Sequence, residues 1–197
     1  MREPLPLATI HDAVLEFLRG REDVVVFGAT AVNAYVDEPR MTQNIDLMST
    51  RAPELAEELR EHLSERFTIA VRIREVAKAK GYRLFQIQKG GNRHLVDVRA
   101  VDSLPEAKLI ENISIASPTE IIAQKVISYY SRRGQPKSGT DWRDLAMLLL
   151  TFPELKTDSG PVLDALRGLN ASEHVMQTWR ELIAQEIRVP DPDSEFG

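Results

Sequence analysis

VVVFGATAVNAYVDEPRMTQNIDLMS, residues 24–49, is the stretch on which the reading of the fold turns. Its first four residues, Val24 to Phe27, are continuously apolar, as expected of a strand buried on both faces rather than one at a sheet edge. Gly28, Ala29 and Thr30 then form a small-residue turn, followed by a short helix to Tyr35 and a polar link through Pro39 and Arg40. A second strand carries Asn44, Ile45 and Asp46. A strand that runs through a glycine into a helix start offers unpaired backbone N–H groups to an anion. Small side chains at Gly28, Ala29 and Thr30 also let the backbone approach a phosphate closely. Asn44 and Asp46 are two positions apart, so on a strand they share a face. A phosphate-holding turn and a metal-binding edge are therefore expected to face each other.

Outward from this stretch, the apolar spacing predicts a helix from Leu7 to Arg19 that stops at Gly20, and a second helix from Pro53 to about Phe67. Alternating patterns at Ile69 to Val76 and Tyr82 to Gln88 predict a hairpin with one wet face, and KGGN at Lys89 to Asn92 marks a turn. His94 to Val101 reads as the next strand. It places Asp97 in mid-strand, where a carboxylate needs a metal or a cation, such as Arg83 or Arg99, beside it. One further short strand is expected near Ile110 to Ile115. From Ser117 the pattern turns helical: SPTE is a capping box leading a helix to about Tyr130. After the loop RRGQPKSGT, helices are expected over Asp141 to Leu150, Val162 to Leu169 and Ser172 to Ile187. These patterns divide the chain into an α/β core over residues 1–116, a helical region over 117–190 and a flexible tail over 191–197.

Composition narrows the function classes. The chain has 197 residues, enough to bury a sizeable core. Its formal net charge of −5 gives no global attraction to nucleic acid or anionic membrane, so any nucleic-acid contact must come from a local basic patch. The absence of cysteine excludes disulfides, thiolate metal sites and cysteine nucleophiles. No apolar run reaches membrane-spanning or signal-peptide length, which leads us to expect a cytoplasmic protein without a membrane partner.

The run GATAVNAY, then RMTQNIDL, then the strand aspartate in HLVDV, then SPTEIIAQKVISYYSRRGQPKSGTDWRDLAMLL resembles the nucleotidyltransferase superfamily. Within it, the closest likeness is to the bacterial AbiEii-like toxins of toxin–antitoxin systems. The resemblance implies a mixed sheet with flanking helices and a C-terminal helical bundle, which would close one side of a nucleotide cleft. It also implies transfer of a nucleoside monophosphate from an NTP to a hydroxyl of an acceptor, which in such families is RNA, including a tRNA 3′ end, a protein or a small molecule. Mg²⁺, with Mn²⁺ as a substitute, would be the cofactor and an antitoxin protein a possible partner. Carried over by position, Asn44, Asp46 and Asp97 fall on the metal and catalytic positions. Gly28, Ala29, Thr30, Arg40, Thr42, Lys125, Lys137, Asp141 and Asp144 fall on nucleotide-binding ones.

The chemistry agrees with that pattern on independent grounds. Nucleotidyl transfer needs divalent ions to bridge the phosphates, and carboxylate oxygens suit Mg²⁺. One position departs from it: Asn44 stands where the family carries its first metal carboxylate. A neutral amide cannot serve as a carboxylate base and leaves two dications short of negative charge. Asn44 therefore marks a weak or inactive natural form, an engineered substitution, or a non-catalytic protein that holds a nucleotide or partner on the same fold. Asp141 and Asp144, three apart on a helix, can order Lys125, Lys137 or Arg132, although Asp141 also reads as a helix cap. His11, His62, His94 and His174 show no metal spacing, and Trp142 and Trp179 read as core. Lys78, Lys80, Lys89, Arg93, Arg132 and Arg133 sit at turns, either gathered as a patch for an RNA acceptor or scattered as solubilising charge.

Overall fold

The computed structural model describes residues 5–189, so the tail expected at 191–197 lies outside the described residues. The chain forms two compact units: one holds the chain up to Ala34 together with Glu38–Ser117, the other Tyr35–Asp37 together with the chain from Pro118.

In the first unit, helix α1 (Leu7–Leu18) buries Ile10, Ala13, Val14 and Leu18, which recur at helical spacing, and stops before Gly20 at φ 75°. Strand β1 (Val24–Phe27) is buried at all four positions. Helix α2 (Gly28–Asn33) starts directly at the glycine with no intervening turn. Strand β2 (Ile45–Ser49) begins one residue after Asn44, which therefore precedes the strand rather than lying on it. Helix α3 (Ala52–Phe67) has Pro53 in its first turn, where the missing N–H is harmless, and ends at Thr68 in the left-handed conformation. Its Leu55, Leu59 and Leu63 are fully buried, each burial being favourable by roughly 1.5–3 kcal/mol.

The remaining strands of this unit are β3 (Val71–Val76), β4 (Gly81–Gln86), β5 (Arg93–Ala100), β6 (Ala107–Ile110) and β7 (Ile113–Ala116). All seven join one sheet in the order β3-β4-β5-β2-β1-β7-β6. β1/β7 and β2/β5 are parallel and the other neighbouring pairs antiparallel, so the sheet is mixed, with β1 in its interior. Two strands, not one, occupy the region near Ile110 to Ile115. They meet at Glu111 and Asn112, both at positive φ, a hairpin turn that glutamate does not advertise.

Cross-strand register decides which residues meet. Arg74 on β3 opposes Arg83 on β4, Arg83 opposes Asp97 on β5, Asp97 opposes Asp46 on β2, and Asp46 opposes Phe27 on β1. Directly opposed residues share a sheet face, so these five form one row. The opposite face carries Leu84, Val96, Val98, Ile45 and Leu47, all buried and backed by α3.

The second unit is helical. It comprises α4 (Pro118–Ser131), α5 (Pro136–Thr151), α6 (Pro161–Gly168) and α7 (Glu173–Ala184), with a short 3₁₀ turn at Pro153–Leu155. α5 starts five residues before the expected Asp141, because Pro136 fits a first helical turn. Asp141 therefore lies inside the helix and does not cap it. Trp179 is fully buried and its Nε1 donates to the Thr157 carbonyl at 3.1 Å, whereas Trp142 is 40% exposed and is not core.

Candidate functional site

The row across the sheet brings two carboxylates together. Asp46 and Asp97 sit side by side in parallel register on β2 and β5, adjacent strands that run about 4.8 Å apart. Just ahead of β2, the Asn44 side chain reaches both: its Nδ2 donates to Asp46 Oδ1 at 2.9 Å and to Asp97 Oδ2 at 3.3 Å. Carboxylates only accept, so the amide must turn its NH₂ toward them. On the far side of Asp97, Arg83 Nε donates to Oδ1 at 3.0 Å and His94 Nε2 lies 3.1 Å from the same atom. His94 is in turn stacked on Phe85, ring centroids 4.9 Å apart. Arg83 was one of two cations expected beside Asp97. The other, Arg99, instead places its guanidinium over the Phe27 ring at 4.8 Å. His94 was missed because a lone histidine at a strand start carries no spacing signal; only the register brings it to Asp97.

Gly28 is fixed by Asp46. Its φ is 68°, and a Cβ built on it would lie 2.3 Å from Asp46 Oδ2. The glycine is thus required both for its left-handed backbone and for the approach of Asp46. Ala29 and Thr30 follow in α2, half-buried, and Thr30 Oγ1 is buried without a hydrogen-bond partner among the described residues. A buried hydroxyl left unpaired is costly. Replacing Gly28 by alanine is expected to cost about 1–3 kcal/mol through the left-handed conformation and the displaced carboxylate. Gly90→Ala, where nothing lies within 4 Å, is the control. Urea denaturation curves of the two variants check this, and equal midpoints would refute it.

The link before the acid pair is pinned by a residue not singled out from sequence. Asn33, at the end of α2, donates from Nδ2 to the Arg40 carbonyl at 2.7 Å and accepts from the Arg40 N–H at 3.0 Å. Thr42 is half-buried beyond it, and Met41 between them is 94% exposed. Beside the acid pair lies a cleft of about 390 Å³, bordered by Phe27, Asp46, Lys80, Arg83, Asp97 and Arg99.

Asp46 and Asp97 offer hard oxygen ligands, of the kind a divalent ion takes, from adjacent in-register positions. Among the described residues there is no cluster of three or more His, Cys, Asp or Glu able to hold a metal. The residues present fit one divalent ion and fall short of two.

In the second unit, Lys125, Asp141 and Asp144 form a buried network. Lys125 Nζ lies 3.1 Å from Asp141 Oδ1 and 2.6 Å from Asp144 Oδ2, while Arg132 Nη1 meets Asp141 Oδ2 at 2.8 Å. Lys125 is 8% exposed and the two aspartates at most 1%. The expected pairing of the aspartates with Lys125 and Arg132 is present, and Lys137 lies exposed in the first turn of α5.

Comparison with known proteins gives the family. A family model described as nucleotidyl transferase AbiEii toxin, type IV toxin–antitoxin system, matches residues 13–195. No curated protein matches the sequence. Among solved structures, the chain is similar to the Megavirus polyadenylate synthase, with a TM-score of 0.61 and 15% identity over 78% of this chain. It spans only 33% of that protein. A putative nucleotidyltransferase from H. pylori is similar with a TM-score of 0.56 and 15% identity, over 90% of each chain. The antibiotic-resistance factor ANT(2'')-Ia is similar with a TM-score of 0.52 and 14% identity, over 89% of this chain and 95% of the other. At these identities the likenesses carry the fold.

Proposed function

The chain belongs to the AbiEii family of nucleotidyltransferase toxins, and on that footing we propose that it transfers a nucleoside monophosphate from an NTP to an acceptor hydroxyl at the Asp46/Asp97 pair. The observation that supports this best is the in-register pair of carboxylates, of which Asp46 packs against Gly28. In this reading, Asp46 and Asp97 hold Mg²⁺, or Mn²⁺ in its place. Nucleotidyltransferases use divalent metals, and the ion when bound would neutralise phosphate charge and polarise the reacting phosphoryl group. Gly28 and Ala29 admit the phosphates, Thr30 donates its spare hydroxyl, and Arg40 and Thr42 flank them. The acceptor oxygen forms a bond to the α-phosphorus, the bond to the bridging oxygen of the leaving pyrophosphate breaks, and the hydroxyl proton passes to a carboxylate of the pair or to water. Asn44 contributes no charge to this chemistry, so the proposed activity is weak.

Among acceptors, the charge of the β3–β4 hairpin favours RNA over protein or a small molecule. Arg19, Arg21, Arg51, Arg60 and Arg66 are each paired with a carboxylate. Arg72, Arg74, Lys78 and Lys80 are all exposed, and no ion pair among the described residues engages them. Arg74 continues the row that ends at the acid pair, so a phosphate backbone following it would lead to the reacting atoms. The family's toxin–antitoxin setting extends the proposal to an antitoxin partner that holds the activity in check. Among the described residues no helix is long and apolar enough to cross a membrane.

One observation favours a second reading, a non-catalytic protein that binds nucleotide on this fold: Asn44 already bridges the two carboxylates. Calorimetry with NTP, with and without Mg²⁺, joined to transfer of α-labelled NTP onto RNA, protein or aminoglycoside, separates the two. Metal-dependent binding with label on RNA is the expected result. Metal-independent binding with no label on any acceptor would favour the second reading.

A further inference from the structure

We infer that Arg83 is the resident counter-cation of the acid pair, and that a divalent ion gains Asp97 only by displacing it. The inference deepens the metal-dependent reading above and borrows its relevance from that reading. Two carboxylates on adjacent strands repel one another and need compensation. Three donors provide it here. Asp97 Oδ1 takes Arg83 and His94 together, which fills both of its lone-pair directions, and Oδ2 takes Asn44.

Of these donors only Arg83 brings a fixed full charge, since a guanidinium stays protonated at any relevant pH. Its position also makes it displaceable. The Arg83 side chain is 47% exposed and Asp97 28%, so the guanidinium can swing into water without burying a charge. Arg74 opposes it on β3 and makes no ion pair among the described residues, so no neighbouring carboxylate on that strand position holds Arg83 away from Asp97. The arrangement is a partly neutralised dyad. Asn44 ties the two carboxylates to each other and Arg83 supplies the positive charge that a metal would otherwise bring. A divalent ion then competes with a covalently attached cation whose local concentration never falls.

The test is a Mn²⁺ titration of the whole chain without nucleotide, followed by the electron paramagnetic resonance signal of free Mn²⁺. Wild type, Arg83→Gln, Arg83→Lys and the double variant Arg83→Gln/Asp97→Asn are compared. Losing a half-exposed charge-assisted hydrogen bond corresponds to about a tenfold change, so Arg83→Gln is expected to tighten Mn²⁺ binding about tenfold. Arg83→Lys, which keeps the charge, should stay near wild type, and the double variant should lose the gain. Arg83→Gln binding Mn²⁺ no better than wild type overturns the inference, as does Arg83→Lys binding as tightly as Arg83→Gln. Because no nucleotide is present, the outcomes separate. If the Mn²⁺ order holds while no variant transfers label, nucleotidyl transfer falls and the role of Arg83 stands. If wild type transfers label but Arg83→Gln does not tighten Mn²⁺, the reverse is true.

Discussion

Asn44→Asp is expected to have two opposite effects, a loss of stability without metal and a gain of metal affinity and transfer rate with it. In the present arrangement the Asn44 amide donates to both Asp46 and Asp97. Aspartate removes those two hydrogen bonds and places a third negative charge against the pair. Without divalent ions this should cost about 1–3 kcal/mol, read as a lower urea midpoint in the presence of a chelator. With Mg²⁺ or Mn²⁺ the sign reverses, because three carboxylates now face the cation. Binding confined to the native state then stabilises it by mass action. An added ligand charge near a protein surface is worth several kcal/mol of attraction, of which about 1.4 kcal/mol is enough for each tenfold. We therefore expect Mn²⁺ affinity and nucleotide transfer to rise at least tenfold. A variant whose stability ignores both chelator and metal would refute the placement of Asn44 between the carboxylates. Equal inactivity of both proteins toward RNA, protein and aminoglycoside acceptors would count against the enzyme reading.

The largest expected stability effect lies at Lys125. Its ammonium, 8% exposed, is held by Asp141 and Asp144, both almost fully buried. Lys125→Met keeps most of the side-chain volume and removes the charge, taking from Asp144 the ammonium that meets its Oδ2 at 2.6 Å. Breaking one partner out of a buried ion pair costs roughly 3–5 kcal/mol, a large part of the 5–15 kcal/mol that holds a typical domain folded. Urea unfolding of the whole chain measures it. The second variant, Lys125→Met with Asp144→Leu, replaces both charges by apolar side chains and should recover much of the loss, because the penalty comes from the stranded carboxylate and not from the missing attraction. A Lys125→Met protein within about 1 kcal/mol of wild type, or a double variant less stable than the single one, would show that the network carries little of the fold.

Much of this molecule was legible in its residues, for reasons that differ by element. Val24 to Phe27 reads as an interior strand because only burial on both faces accommodates four apolar residues in succession, and β1 is that strand. The helix at Leu7–Leu18 and the one at Ala52–Phe67 follow from a repeat that local geometry alone imposes. The errors fall where a local rule has an alternative. Gly134, Pro136 and Gly139 suggested a loop, yet proline suits a first helical turn and α5 begins there. Glu111 is not a usual turn residue and Asn112 alone is a weak turn signal, so one strand is expected where β6 and β7 form a hairpin. Trp142 has the spacing of a core residue but is 40% exposed, its indole N–H reaching Gln185 at 3.3 Å.

By itself the sequence determined which residues are apolar, where most of the chain turns, and that Gly28, Asp46 and Asp97 occur in the order of a nucleotidyltransferase pattern. Periodicity and the lack of a Cβ act over a few residues, so they survive in a linear reading. Tertiary structure alone decided that Asp46 and Asp97 are exact neighbours in register and that Asp46 closes against Gly28. It also decided that Asn44, Arg83 and His94 converge on the pair. Strand order and register are set by packing between segments remote in the chain, where a shift of one residue would send every side chain to the opposite face. The pair of acids and two candidate cations could be named in advance; that Arg83 and not Arg99 answers Asp97, joined by His94 and Asn44, could only be seen once β4, β5 and β2 lay side by side.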